Sequence, residues 1–200
     1  MDKREQIART KIISASRSLF LEYGYAGVST AMLAKEASTS KATLYKYFKD
    51  MNHVLGEVLK EEEMRIEQGV EMEFDTIDTF LINLVKYGTN LLHFLNDPDI
   101  AKFDAILAEH GKYSPELAEH YYLASYGSSV SLVKTMLERA NSLNLLDLPL
   151  ESEDYAEMFL SALEGFGFVK ARFGVISNPY HKPKSRVESV VALLIKPYLK

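Results

Sequence analysis

The sequence predicts an all-α protein, and three observations predict it. Apolar residues recur at offsets of three and four along most of the 200 residues, as in Ala8, Ile12, Ala15 and Leu19. No stretch sustains the strict apolar–polar alternation of a half-buried strand. Gly, Pro, Asn and Ser gather where the periodic stretches end, as in Asn96-Asp97-Pro98-Asp99.

Taken in order, a first helix is expected from about Arg4 to Tyr23, with Gly24 as its stop. Two short helices follow. The first has Ser29 or Thr30 as N-cap and places Met32, Leu33 and Ala37 on one face. Ser38-Thr39-Ser40 interrupts it, and Ser40 is placed to cap the second, in which Leu44 and Phe48 point the same way. A fourth helix should begin at Met51 and run through Val54, Leu55, Val58 and Leu59 into charged residues 60–63, a solvated face. Beyond it the periodicity gives helices over residues 76–95 and 99–110. Ser114 and Pro115 open another, as N-cap and first helical residue, running to about residue 141. Two last helices should cover 151–172 and 185–199, joined by a loop at 174–184 that holds Pro179 and Pro183. No internal repeat or low-complexity segment is visible.

Composition narrows the function. A chain of this length with 47% hydrophobic residues can bury a full core. It has no Cys, so no disulfide is available; with no basic-plus-apolar leader, a cytoplasmic location is expected. No run of about 18 uncharged apolar residues exists, so no membrane association is expected. The net charge of -5 is unevenly spread: residues 1–53 hold nine Lys or Arg against five Asp or Glu, leaving -9 for the remainder. A basic end on an acidic body is what a protein needs if that end alone faces phosphate, although solvated charges can segregate by chance. Lys3, Arg4, Arg9 and Lys11 could form a basic arm that reaches DNA.

Catalytic signals are missing. There is no Gly-x-Ser-x-Gly elbow and no phosphate-cradling Gly-rich loop. His93, His110 and His120 lie near Asp104, Glu109 and Glu119, but adjacent residues on a helix diverge by about 100°, so the Glu-His pairs at 109–110 and 119–120 are not chelating units. Neither enzyme activity, nor a metal, nor a cofactor is expected.

The two short helices carry the functional signal. With Leu44 and Phe48 packed inward, Lys41, Thr43, Lys46 and Tyr47 are left for the opposite side. Lysines and hydroxyls donate to phosphate oxygens, and the small Ala42 lets backbone approach a groove. This is the layout of a helix-turn-helix, whose second helix enters the major groove. An ordinary helical hairpin would show the same apolar spacing.

Gly24-Tyr25, Leu33-Ala34, Ala37, Ser40-Lys41, Thr43-Leu44-Tyr45 and Tyr47-Phe48-Lys49 resemble the N-terminal motif of the TetR family of transcriptional regulators, over about residues 8 to 58. Two positions depart from it. Ser38 stands where the family usually has Gly in the turn, so a positive φ there would be carried by a less tolerant residue. Met51 stands where many members have Lys, which removes one phosphate contact. The resemblance implies a DNA-binding part over residues 1–50 and an effector-binding and dimerisation part over 51–200. It implies DNA contacts from Ser29, Thr30, Ser40, Lys41, Ala42, Thr43, Tyr45, Lys46, Tyr47 and Lys49.

Two further expectations concern the acidic part. Its last two helices resemble those through which TetR-family chains dimerise, which implies a seam of Phe159, Leu163, Phe166, Val187, Val191 and Leu194; burial within one subunit is the alternative. Its many aromatic residues suit either a core or the wall of a pocket for an apolar ligand, and Tyr87, Phe94, Phe103, Tyr126 and Phe166 are the candidates for lining. Residues 103–109 with Pro115-Glu116-Leu117 and Tyr121-Tyr122 faintly resemble the C-terminal domain of AefR-like members. The expected protein is a homodimeric repressor that binds double-stranded operator DNA and is released by a small hydrophobic effector. The competing reading is a helical interaction protein whose helix-turn-helix no longer reads DNA.

Overall fold

A computed structural model describes residues 3–112 and 115–200. Among the described residues every regular element is helical, as expected. The chain runs through α1 (Lys3–Tyr23), α2 (Thr30–Glu36), α3 (Lys41–Tyr47), α4 (Met51–Glu67), α5 (Ile77–Leu95), α6 (Pro98–Gly111), α7 (Pro115–Tyr122), α8 (Ser128–Ser142), α9 (Ser152–Glu164), α10 (Gly167–Arg172) and α11 (Pro183–Leu194).

These helices form two compact units, one of residues up to 63 with 102–125, the other of 64–101 with 126–200. Packing therefore divides the chain elsewhere than after residue 50. In the first unit, Ile12 and Phe20 of α1, Leu33 of α2, Leu44 and Phe48 around α3, and Val54 and Leu55 of α4 form one core. Phe103 and Leu107 of α6 complete it, with the Phe103 ring stacked on Phe20 at 6.4 Å and 13°. Apolar complementarity draws residues 102–125 to this unit despite their distance along the chain.

In the second unit α5 is packed by α8, α9 and α11. Thr76 and Thr79 start it with a reciprocal capping box, each hydroxyl accepting from the other's backbone N–H at 3.2 Å. Its inward stripe of Phe80, Leu84, Tyr87, Leu91 and Leu92 meets Val133, Met136 and Leu137 of α8 and Phe159 and Leu163 of α9. Gly88 sits where the packing is closest. A Cβ there would lie 2.9 Å from Val187 and 3.0 Å from Leu163, so a side chain would hold α5 away from α9 and α11.

Three expected helices are interrupted. The helix expected to run from Pro115 to about residue 141 contains a π-helical turn, Leu123–Gly127, between α7 and α8; its expected cap, Ser114, lies outside the described residues. The helix expected over 151–172 breaks at Gly165, whose φ of 51° and ψ of -140° are hard for any residue with a Cβ. The carbonyls freed at the end of α9 are met from elsewhere. Arg186 donates to the carbonyls of Ala162, at 2.9 Å, and Leu163, while the Tyr180 hydroxyl donates to that of Glu164 at 3.0 Å. The last helix stops at Leu194, and a 3-10 turn, Lys196–Tyr198, forms around Pro197, which has no N–H to extend a helix.

The loop between α10 and α11 is held at Tyr180. Asn96, which caps the end of α5, donates from Nδ2 to the Tyr180 carbonyl at 2.8 Å and accepts the Tyr180 N–H at 2.9 Å. Burial pushes the Tyr180 hydroxyl up to about 12, so it stays a donor at any physiological pH.

Gly165→Ala is expected to lower stability by roughly 1–3 kcal/mol, because a Cβ strains this backbone and would lie 2.7 Å from the Arg186 guanidinium. Urea unfolding followed by circular dichroism measures it; a change below about 0.5 kcal/mol contradicts the account of the break.

Candidate DNA-binding site

The candidate surface is made by two helices of seven residues each, and side-chain caps start both. Ser29 Oγ accepts from the Met32 N–H at 3.2 Å, and Ser40 Oγ accepts from the Thr43 N–H at 3.0 Å. Ser29 and Ser40 are thus the caps, and Thr30 is the first residue of α2. The turn between them is a Schellman closure: the Thr39 N–H donates to the Ala34 carbonyl at 2.8 Å and the Ser38 N–H to that of Lys35 at 3.1 Å. Ser38 occupies the left-handed position with φ 51°. The departure from Gly is therefore a real strain on the turn.

On α3, Leu44 faces the core at 0% exposure, with Phe48 beyond it also at 0%. Lys41, Ala42, Tyr45 and Lys46 are exposed, as is Lys49; Thr43 and Tyr47 are half-buried. The ten residues expected to meet DNA thus lie on two adjoining helices and their caps. Several of them are already engaged. The Thr43 hydroxyl is 2.9 Å from that of Ser40. Lys46 donates to Glu5 of α1 at 2.9 Å and lies 5.1 Å from the centre of the Tyr47 ring, and the Glu5 carboxylate holds its ammonium above the usual lysine value.

Three residues outside the ten expected contacts fix the frame around this surface. Arg9 forms an ion pair with Glu57 of α4 at 2.6 Å, donates to the Tyr47 carbonyl at 3.4 Å, and lies 5.0 Å from the centre of the Phe48 ring. It is therefore not part of a free basic arm; Lys3, Arg4 and Lys11 likewise belong to α1. His53 accepts the Lys49 N–H on Nδ1 at 3.1 Å, and its own N–H is capped by Asp50 at 2.8 Å. Tyr25 donates to Asn52, and burial, with Asp50 adding to it, pushes the Tyr25 hydroxyl up to about 12.

The residues expected for the pocket and the seam lie in several different environments. Tyr87 is core in the second unit, Phe103 is core in the first, Phe94 lies under the Arg65 guanidinium at 5.6 Å, Tyr126 is half-buried in the π-helical turn, and Phe166 is 80% exposed. Tyr87, Phe94, Tyr126 and Phe166 belong to the second unit and Phe103 to the first. None of the five lines a groove of about 510 Å³ between α5 and α11. In the expected seam, Phe159, Leu163 and Val187 are fully buried and Val191 nearly so within the single chain, because they face α5 and α8; Leu194 is half-buried. The large apolar residues that α9 to α11 and their loop leave outside are Met158, Phe166, Val169, Phe173, Val175, Ile176 and Leu193. No group of three or more His, Asp or Glu among the described residues is placed to hold a metal ion, and no described helix is long and apolar enough to cross a membrane.

Comparison with known proteins agrees with this geometry. The family profile of bacterial regulatory proteins, tetR family, matches residues 12–58, and that of the AefR-like transcriptional repressor C-terminal domain matches residues 83–200. No curated protein matches the chain in sequence. Among solved structures, a TetR-family regulator of Mesorhizobium loti is 19% identical over 100% of both chains with a TM-score of 0.76. The Flavonoid-responsive Regulator FrrA is 22% identical over 96% of this chain and 97% of its own, with a TM-score of 0.75. SmeT, repressor of a Stenotrophomonas maltophilia multidrug efflux pump, is 18% identical over 96% and 90%, with a TM-score of 0.65. At such identities these structures attest the fold. Two capped short helices on a braced core, in a chain whose second unit is all-helical, define a helix-turn-helix transcriptional regulator. The chain belongs to the TetR family of bacterial regulatory proteins.

Replacing Ser38 by Gly is expected to relieve a left-handed strain of about 1–2 kcal/mol at an entropic cost of about 0.5–1 kcal/mol, a net gain of at most about 1.5 kcal/mol. Ser38→Val should destabilise. Thermal melts of the three proteins give the order Gly, Ser, Val; any other order removes the strain argument.

Proposed function

We propose that the protein is a homodimeric repressor that grips double-stranded operator DNA with α2 and α3 and releases it when a small, mostly apolar effector binds. The observation that carries the DNA reading is the exposed, cap-started face of α3, where Lys41, Ala42, Tyr45 and Lys46 stand opposite the buried Leu44. Lys41, Lys49 and the Tyr47 hydroxyl are assigned to phosphate and Thr43 to base edges, since lysines and hydroxyls position a protein on the backbone while groove contacts read sequence. Ser29, Thr30 and Ser40, at the two helix starts, add contacts to the same strand backbone.

For the dimer we assign the exposed apolar residues of α9 to α11. Phe166 and Phe173 are 80% and 82% exposed, and a chain that leaves two phenylalanines so bare, with Val175 and Leu193 exposed as well, has a surface suited to a second copy of itself. A dimer places two α3 helices on half-sites about 34 Å apart. For the effector, α4 is the lever, since its residues 51–63 belong to the first unit and 64–67 to the second. The effector works by binding the two states of the protein unequally.

In a gel-shift titration, Lys41→Ala and Tyr47→Phe should weaken binding to operator and scrambled DNA alike. Removing one phosphate-binding group should flatten the log affinity against log salt slope by about 0.9. Thr43→Ala should instead change the preference between the two DNAs. Absence of any salt-dependent shift by the intact protein would favour a helical interaction protein with a degenerate helix-turn-helix.

Phe166→Glu places a charge on an exposed residue, so the subunit should fold normally yet sediment as a monomer and lose operator binding. A variant that remains dimeric places the interface elsewhere.

A further inference from the structure

We infer that the groove between α5 and α11 is a binding site for an amphiphilic anion, a molecule with one charged head on an aliphatic or aromatic body. Its volume of about 510 Å³ lies within the range of small-molecule sites. Val85 and Val191 form an apolar floor, and Ile82, 64% exposed, stands at its edge with a large aliphatic surface uncovered. Around this floor stand Lys86, Lys184 and Lys196 against a single carboxylate, Glu188.

Charge makes the groove selective. Glu188 lies 3.8 Å from Lys184, whereas Lys86 and Lys196 have no carboxylate partner among the described residues. Two uncompensated cations over an apolar floor stand out on the part of the chain beyond residue 53, which carries a net charge of -9. A neutral apolar molecule would use the floor and ignore the rim. A small inorganic anion would do the reverse. An amphiphilic anion uses both, its head neutralising the lysines while its body excludes water from Val85 and Val191.

The groove is separate from the surface assigned to the dimer. At 3.6 residues per turn, Lys184, Glu188 and Val191 lie along one side of α11 and Ser189 and Leu193 along the opposite side. It is also tied to the end of α4. Asn90, on the groove wall, donates from Nδ2 to the carbonyls of Ile66 at 2.9 Å and Gln68 at 3.1 Å. A Cβ built at Gly69 would lie 2.6 Å from the Lys86 Nζ, so an anion that draws Lys86 into the groove moves it away from the segment that follows α4. The site thus gives the effector reading a place and a chemical class. Binding itself is measured without DNA, so that the two readings fail separately.

The test titrates the full-length protein with decanoate, 1-decanol or decyltrimethylammonium, followed by calorimetry and by methyl NMR. Decanoate should bind at one saturable site that shifts the Ile82, Val85 and Val191 methyl signals, at least tenfold more tightly than either of the other two. The Lys86→Ala/Lys196→Ala double variant, altered only at exposed positions, should lose tenfold or more for decanoate and nothing for 1-decanol. Equal binding of decanoate and 1-decanol, signals that move only elsewhere, or an unchanged decanoate affinity in the double variant overturns the site. A gel shift with decanoate then separates function from binding: bound decanoate that leaves operator affinity unchanged keeps the site and removes it as the effector site. Operator binding without any decanoate binding does the reverse.

Discussion

Burial of Leu44 and Phe48 holds a helix that could not hold itself. Seven residues are too few for α3 to persist in water, where helices shorter than about 12–15 residues are marginal. Each of these two side chains contributes roughly 1.5–3 kcal/mol by leaving water, and both do so on the core shared with Phe20, Leu33 and Leu55. Arg9 then ties the end of the helix to α1 and α4 at once, through the Tyr47 carbonyl, the Phe48 ring and Glu57. The face turned to solvent is consequently rigid without using any of its own polar groups for support, apart from the cap shared by Ser40 and Thr43 and the Glu5–Lys46 pair.

The second unit solves a related problem at the end of α9. Breaking a helix at Gly165 leaves carbonyls that must find donors, and Arg186 and Tyr180 supply them from α11 and the loop before it. The break turns α10 out of line with α9, and Phe166 and Phe173 are exposed at its two ends. One glycine torsion therefore links the capping of α9 to the surface that we assign to the dimer.

Much of this was legible in the sequence because it is encoded locally. A cap at Ser29 or Thr30, Ser40 as the next cap, Gly24 as a stop and the inward Leu44 and Phe48 all follow from rules that span three or four residues. The strain at Ser38 was legible only through the family resemblance, since nothing in a Ser-Thr-Ser turn specifies which residue is left-handed. What could not be read depends on residues far apart. Phe159, Leu163 and Val187 carry the same periodicity whether they face α5 or a second chain, and only the folded subunit shows which. Arg9 offers no signal beyond its place beside the apolar stripe of α1, because its partners lie 38 to 48 residues away. The groove of Val85, Val191 and three lysines joins two helices separated by most of the second unit, so it had no sequence signature.

Asn96 meets the backbone of Tyr180 with one donor and one acceptor, in the way one strand residue meets another. That match depends on a single atom. Spontaneous hydrolysis of the amide, a slow ageing reaction of asparagine, replaces the donor by a second oxygen and sets a carboxylate against the Tyr180 carbonyl. The loop it anchors runs on from Phe173, Val175 and Ile176, so chemical ageing at one amide would loosen an apolar surface several residues away. In an old population of this protein, loss of the dimer that we propose would then precede loss of the helical fold.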